Sequence, residues 1–429
     1  MMDFATSSDP RVQTQLDRLA KLSVPQGRLG LETIAALVER LGNPHRTLPP
    51  VFHVAGTNGK GSVCAFLRAM LEAAGKRVHV TTSPHLVRYN ERIRLAGELI
   101  GDGALAELLE EVLDAGEDLG PSFFEVTIAA AFLAFARTPA DACVVEVGLG
   151  GRFDATNVLE PEAVAASGIA ALGLDHERFL LAPEEGVPKE PMARIAFEKA
   201  GIAKKGVPLA TLRSVPEANH QLAASCARAG APLLLCGDGW DFRDGPTLAY
   251  SDAAGRLNLP VPVLAGPHQF ANAALAVAML RHQERVAITR EAMAEGMRSA
   301  TWPARLQRMR AGPLVRDRVV WLDGGHNPSA GTAIARALDG RLHLVLGMLD
   351  NKNPGAIVEP LGERMRTLQV VPVPGHDSHP ASAFGKDAVA RDDLEEAMLD
   401  VPDDGLPVLI AGSLYLAGEA LRLNDEIPQ

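Results

Sequence analysis

Several features that would fix a function class are missing from this sequence. Its four cysteines, Cys64, Cys143, Cys226 and Cys236, stand apart with no C-x-x-C pair. That spacing offers neither a zinc knuckle nor a disulfide framework, so four buried thiols in a reducing compartment are expected. No apolar run reaches the ~18 residues that a membrane-spanning helix requires. The N-terminal stretch is polar through Gln15 and lacks the apolar core of a signal peptide, which points to the cytoplasm. Positive charge is scarce: 42 Lys and Arg stand against 53 Asp and Glu, for a net charge of −11. That balance argues against nucleic-acid binding through a basic surface and leaves room for a local basic pocket that takes an anionic substrate. Internal repeats and low-complexity tracts are also absent.

What is present is enough apolar material for two domains, 47% hydrophobic residues in 429. Residues 51–55 read as a buried strand, 60–74 as a helix with Val63, Phe66, Leu67, Met70 and Leu71 on one face, and 77–82 as the next strand. This β-turn-α-β unit builds parallel sheets. Further strands are expected at 142–147, 163–169 and 207–212, a buried helix at 123–136, β-hairpins over 233–263 at the edge of the first domain, and helices at 267–283 and 289–299. Trp302-Pro303 interrupts the pattern. Beyond it, strands at 318–323, 342–347, 368–373 and 407–411 alternate with helices at 328–338, 387–399 and 413–423, and 372–386 reads as an exposed loop. The expectation is α/β throughout: residues 1–300 with a phosphate loop and parallel sheet, then a smaller Rossmann-like α/β domain over 301–429.

The sharpest local signal is Gly56-Thr57-Asn58-Gly59-Lys60-Gly61-Ser62, set between the first strand and its helix. Glycines let backbone N–H groups close around phosphate oxygens, the helix N-terminus adds partial positive charge, and Lys60 adds a full one toward the β- and γ-phosphates. Val54 occupies the position of the first glycine in the generic pattern, and Gly61 that of the usual Ser or Thr, so this is a variant loop.

More segments follow in order: His53-Val-Ala-Gly-Thr-Asn-Gly-Lys-Gly-Ser62, Thr82-Ser-Pro-His-Leu86, Asn90-Glu-Arg-Ile93, Glu146-Val-Gly-Leu-Gly-Gly-Arg-Phe-Asp-Ala-Thr-Asn157, Leu174-Asp-His176, Glu198-Lys-Ala-Gly-Ile202, His268-Gln269 with Asn272-Ala273, Trp302-Pro-Ala-Arg305, Asp323-Gly-Gly-His-Asn-Pro328 and Gly412-Ser-Leu-Tyr415. As an ordered set they resemble the folylpolyglutamate synthase and dihydrofolate synthase family, within the Mur-type amide ligases. The chain departs from that family's pattern in a few extra residues between His176 and Lys199, among them Pro183, Pro188 and Pro191. It also departs in Ala304 where glycine is usual, in Asn351-Lys352-Asn353, and in Arg28.

The resemblance implies an ATP-dependent ligase that joins L-glutamate to the carboxylate of dihydropteroate or to the tail of a folate through an acyl phosphate. It implies a Mur-ligase-like ATPase domain, a monomer, and no nucleic-acid or membrane partner. Magnesium is the implied metal, with a requirement for a monovalent cation left open. Nucleotide contacts fall on Gly56, Thr57, Asn58, Gly59, Lys60, Gly61 and Ser62, on Asn272, and on Arg305 and Asp323. Metal contacts fall on Ser83, Glu146 and His176. The catalytic set is Lys60, Glu146, His176, Lys199, Asp323 and His326, with Lys199 matching a lysine that the family carbamylates. The pterin pocket falls on Leu29-Gly30-Leu31, Ser122-Phe123-Phe124-Glu125 and Phe153-Asp154-Ala155. By residue type alone, Glu146 reads as well as a cap or ion pair, Ser83 as a turn serine before Pro84, His176 as a structural histidine, Asp323 as the cap of the helix near Pro328, Arg305 as a surface ion pair, Phe123 and Phe124 as core, and Lys199 as an exposed helix-end lysine.

Two other classes compete. A cell-wall peptide ligase of the Mur type carries a separate nucleotide-sugar domain, for which the about 50 residues before the first strand are too few. A non-catalytic nucleotide-binding regulator needs the phosphate loop but not Glu146, His176, Asp323 and His326 together.

Overall fold

The computed structural model describes residues 5–22 and 30–429. Arg28 and Leu29 lie outside them. The chain forms two compact units: residues through Pro84 with Arg88–Val263 and Gln269–Thr301, and then His85–Val87, Leu264–His268 and Trp302–Gln429.

In the first unit the main sheet contains β1 (Val51–Ala55), β2 (Val78–Thr81), β3 (Ile93–Leu95), β4 (Glu98–Leu99), β5 (Ala142–Glu146), β6 (Val164–Ile169), β7 (Leu209–Thr211) and β8 (Leu233–Leu235), in the order β4-β3-β2-β5-β1-β6-β7-β8. The six strands from β2 to β8 run parallel, while β3 and β4 are antiparallel additions at one edge. β1 and β5 lie in the middle and are buried on both faces, which explains their unbroken apolar runs. β9 (Trp240–Arg243), β10 (Leu248–Asp252) and β11 (Gly255–Leu259) form a separate antiparallel sheet. The expected hairpins are therefore present, but Leu233–Leu235 instead extends the main sheet in parallel with β7.

Helices of this unit are α1 (Pro10–Lys21), α2 (Glu32–Arg40), α3 (Lys60–Ala73), α4 (Asp102–Gly116), α5 (Phe123–Arg137), α6 (Glu177–Leu180), α7 (Pro191–Lys199), α8 (Pro216–Ala229), α9 (His268–Arg281, whose first residue belongs to the second unit) and α10 (Arg290–Ser299). Polar composition hid α1 from the sequence reading. Asp9 caps it by accepting from the N–H groups of Arg11 and Val12, Pro10 supplies a helix-ready φ, and Val12, Leu16 and Leu19 bury one face. α3 removes Val63, Phe66, Leu67, Met70 and Leu71 entirely from solvent. At about 1.5–3 kcal/mol for each large apolar side chain, that gives the phosphate loop a rigid base.

The second unit contains β12 (Gln307–Arg308), β13 (Val320–Leu322), β14 (Leu342–Leu346), β15 (Met365–Val370), β16 (Ala388–Ala390) and β17 (Val408–Ala411), ordered β12-β13-β17-β14-β15-β16 and parallel except for β12. With them go α11 (Pro328–Ala337), α12 (Gly355–Leu361), α13 (Leu394–Asp400) and α14 (Leu414–Leu423). The helix expected over 387–399 is corrected here. Residues 388–390 pair with β15, and the helix starts only at Leu394, where the Asp393 carboxylate accepts the N–H of Glu396. No helix among the described residues is long and apolar enough to cross a membrane.

Candidate active site

The loop between β1 and α3 is held open by its own backbone. The N–H groups of Thr57 and Asn58 both donate to the carbonyl of Ala171, at 2.9 and 3.2 Å. The Thr57 hydroxyl donates to Gly173 O at 2.9 Å. At Gly59 the loop turns through φ +88, and a Cβ there would lie 2.4 Å from Asn272 Oδ1, so only glycine fits. Asn272 is in turn held by Gln269, which accepts from Asn272 Nδ2 at 3.0 Å and donates to Ser62 Oγ at 3.3 Å. Gln269 is fully buried, and its residue type within the His268-Gln269 pair points to no role by itself.

Lys60 opens α3, and its ammonium reaches back to Gly56 O at 3.3 Å. Lys199 Nζ donates to the same oxygen at 2.9 Å. Lys199 is not the exposed helix-end cation that its residue type suggested. It is 4% exposed, and burial first, then the Lys60 charge, lowers its pKa to about 7, against the opposing pull of Asp175, Asp154 and Glu198.

Glu146 ends β5, 4% exposed, and its Oε2 accepts the Ser83 N–H at 3.2 Å. Two oxygen-bearing groups expected to serve a hard cation are thus adjacent. His176 stands at the start of α6 in a left-handed conformation, φ 52, with its N–H donated to Asp175 Oδ1 at 2.8 Å. Among the described residues, no group of three or more His, Cys, Asp and Glu side chains gathers in a metal-binding arrangement.

The residues expected around a pterin hold one another closely. Ser122 caps α5, with Ser122 N and Oγ donating to Glu125 Oε2 at 2.7 and 2.8 Å while Glu125 N donates to Ser122 Oγ. Phe123 meets Tyr89 edge-on with ring centroids 5.7 Å apart, and the Phe124 ring occupies the space where a Gly148 side chain would begin. Gly30 and Leu31 lead into α2, and Leu31 packs against the core. Phe153 lies beneath the Arg152 guanidinium, 4.2 Å from its centre. Asp154 is buried, which pushes its pKa up, and its carboxylate accepts from the N–H groups of Leu149 and Thr156 and from the Thr156 hydroxyl. Thr156 spends its proton on Asp154, so His53 Nε2, 2.9 Å away, is the donor to Thr156 Oγ1. Burial lowers the His53 pKa to about 3, which keeps that ring neutral. Ala155 is buried beside them.

In the second unit, Asp323 follows β13. Its Oδ2 accepts the Leu306 N–H at 2.8 Å and its Oδ1 that of Gly325 at 2.7 Å. The cap of α11 is Asn327, which accepts from Ala330 N, rather than Asp323. His326 Nδ1 lies 3.1 Å from Gly324 O. Ala304 adopts φ 55 and Leu306 φ 43 around the partly buried Arg305. That left-handed turn accounts for a glycine being usual where Ala304 stands. His268 is lowered by burial, with Asp323 raising it and Arg305 lowering it further.

No model of a known protein family matches the chain. The bifunctional dihydrofolate synthase/folylpolyglutamate synthase of Escherichia coli K12 is 34% identical over 412 residues, covering 92% of each chain. A solved structure of E. coli FolC in complex with DHPP and ADP superposes with a TM-score of 0.84 at 30% identity, over 98% of this chain and 99% of that one. A bifunctional folylpolyglutamate synthase/dihydrofolate synthase with Mn, AMPPNP and L-glutamate bound gives a TM-score of 0.82 at 30% identity, over 98% and 99%.

Proposed function

We propose that this chain, which belongs to the folylpolyglutamate synthase and dihydrofolate synthase family of ATP-dependent ligases, forms the amide between L-glutamate and a pterin-bearing carboxylate, that of dihydropteroate or that of a folate's glutamate tail. The single observation that carries the reading is the convergence of Lys60 and Lys199 on Gly56 O at the mouth of the phosphate loop. It supports a phosphate-binding role for Lys60 and sets beside it a buried amine, Lys199, of lowered pKa.

A carboxylate repels nucleophiles and its oxygen leaves badly. Phosphorylation cures both: a carboxylate oxygen bonds to the γ-phosphorus as the bond to ADP breaks. The glutamate amine then attacks the acyl carbon, phosphate leaves, and the amine surrenders a proton. Positioning and charge neutralisation do most of this work. The α3 N-terminus and Lys60 hold the phosphates, and Asn272, steered by Gln269, closes the loop at Gly59. The buried Glu146 carboxylate and the partly buried Ser83 hydroxyl suit a hard cation better than His176 does, so they would hold magnesium, with His176 as a further ligand. When bound, the cation neutralises charge on the triphosphate. In the second unit, Arg305 grips phosphate with its fixed fork of donors, and Asp323 and His326 serve nucleotide and glutamate.

Lys199 is the carbamylation candidate. Its neutral amine, favoured by a pKa near 7, bonds to the carbon of CO₂ and loses a proton, turning a cation into an anion. The pterin lies against Phe124, Phe153 and their neighbours. The protein works as a cytoplasmic monomer on small molecules.

Phosphate release measured with dihydropteroate and with tetrahydrofolate, with and without L-glutamate, tests the reading. Release with either pterin that depends on glutamate supports it. A chain that binds ATP but releases no phosphate under any of these conditions is a regulator instead.

A further inference from the structure

Four charged side chains lie behind the 148–154 loop, and no step above uses them. Arg152 holds Glu184 with two bonds, Nη1 to Oε1 at 3.1 Å and Nη2 to Oε2 at 2.6 Å. The same guanidinium reaches Glu198 through Nε at 3.0 Å and Nη2 at 2.8 Å. Arg194 closes the ring, its Nη2 lying 3.0 Å from both Glu184 Oε2 and Glu198 Oε1. The Arg194 and Glu198 side chains are 5% and 7% exposed, while those of Arg152 and Glu184 are 21% and 20%. Two arginines and two glutamates balance, which makes so buried a group tolerable.

The members come from three places. Arg152 belongs to the loop that carries Phe153 and Asp154. Arg194 and Glu198 belong to α7, and Glu198 directly precedes Lys199. Glu184 belongs to the stretch between α6 and α7, within the His176–Lys199 span where the chain departs from the family pattern it resembles. Loop and helix are also joined by backbone. Arg152 N donates to Glu198 O at 2.8 Å, and a Cβ on Gly151 would lie 2.8 Å from Lys199 O. Those contacts do not involve Glu184. What Glu184 adds is the second carboxylate holding the Arg152 guanidinium, whose carbon lies 4.2 Å from the Phe153 ring centroid and 4.9 Å from that of Phe197.

We propose that Glu184 is a positioning residue: by holding Arg152 over the rings of Phe153 and Phe197, it sets the Phe153 face of the pterin pocket. The proposal rests on the ligase reading, in which Phe153 lines that pocket. Loss of the Glu184 charge leaves two guanidiniums sharing Glu198. The backbone contacts remain, so the loop stays in place while the Phe153 ring loses its fixed support.

Calorimetric titration of dihydropteroate into the magnesium- and ADP-bound enzyme tests this without depending on turnover. For Glu184→Gln the dissociation constant is expected to rise roughly five- to tenfold, with that for ADP changed less than about twofold. Glu184→Asp, which keeps the charge on a shorter arm, should fall between. The double variant Glu184→Gln/Arg152→Met should bind dihydropteroate no more weakly than Arg152→Met alone, because both act through one guanidinium. Unchanged dihydropteroate binding in folded Glu184→Gln, or fully additive effects in the double variant, would overturn the proposal. If the wild-type enzyme binds dihydropteroate yet shows no glutamate-dependent phosphate release, the ligase reading fails and the Glu184 result stands. If it binds none, both fall.

Discussion

Lys60 and Lys199, far apart in sequence, donate to one carbonyl oxygen, that of Gly56, at 3.3 and 2.9 Å. Burial first, and then the charge of Lys60 beside it, lowers the Lys199 pKa to about 7.

The first consequence is a pH dependence. A lysine lowered from its usual value is protonated below about 7 and neutral above it. Only the neutral amine takes up CO₂, so reactivation of CO₂-depleted enzyme by bicarbonate should rise as pH increases through about 7. Folding stability of the unmodified protein has the same sign. Below about 7 the buried cation weighs fully against the native state, and the cost fades as pH rises toward the unfolded value. Lys199→Ala should be nearly inactive and partly rescued by a small carboxylic acid. Reactivation that ignores pH from 6 to 8, roughly one unit either side of the expected midpoint, would refute the carbamate.

Lys60→Ala should keep its fold, because α3 is anchored by its apolar face. It should lose at least about a hundredfold in kcat, the scale for removing a charge-stabilising donor. Circular dichroism with a steady-state assay checks both parts, and near-normal turnover in a folded variant sinks the phosphate-loop assignment.

Gly59→Ala confronts two penalties at once, a φ of +88 and an Asn272 oxygen 2.4 Å from the new methyl. Nucleotide affinity should drop about tenfold or more, on the scale of backbone strain at a left-handed site. Fluorescence titration with an ATP analogue reads it. Affinity equal to wild type would mean that the loop does not meet phosphate in this conformation.

Arg305→Ala should raise the KM for ATP by roughly tenfold or more while leaving that for the pterin within about twofold. Equal losses for both substrates, or loss of the pterin alone, contradict the assignment to phosphate.

The parallel sheets, the phosphate loop and the position of Glu146 at a strand end were legible because each is written locally, as an apolar run, a glycine cluster or a residue at an element boundary. α1 was not, since its apolar face is three residues among polar ones and its start depends on the Asp9 cap. The strand at 388–390 was missed for the opposite reason: its pairing partner, β15, lies about 20 residues away, and no local period records it. The burial of Lys199 follows from tertiary packing. Residue type alone pointed to solvent, and only the resemblance pointed inward. Gln269 and Glu184 escaped because a buried amide and a loop carboxylate acquire meaning only through the partners that folding brings to them.

The Asp154 carboxylate has further reach. With two backbone N–H groups and the Thr156 hydroxyl directed at it, most of its acceptor capacity is used from within the protein. It acts as a clasp on the loop, and the donor order from His53 through Thr156 runs only one way. Under the ligase reading proposed above, this wall of the pterin pocket offers ring faces and main chain in place of an open charge. Such a surface discriminates by flatness and outline. Inhibitor chemistry aimed at it gains more from a planar bicycle of the right width than from added hydrogen-bond donors, and Thr156→Val, which removes the hydroxyl joining His53 to Asp154, should blur that selectivity.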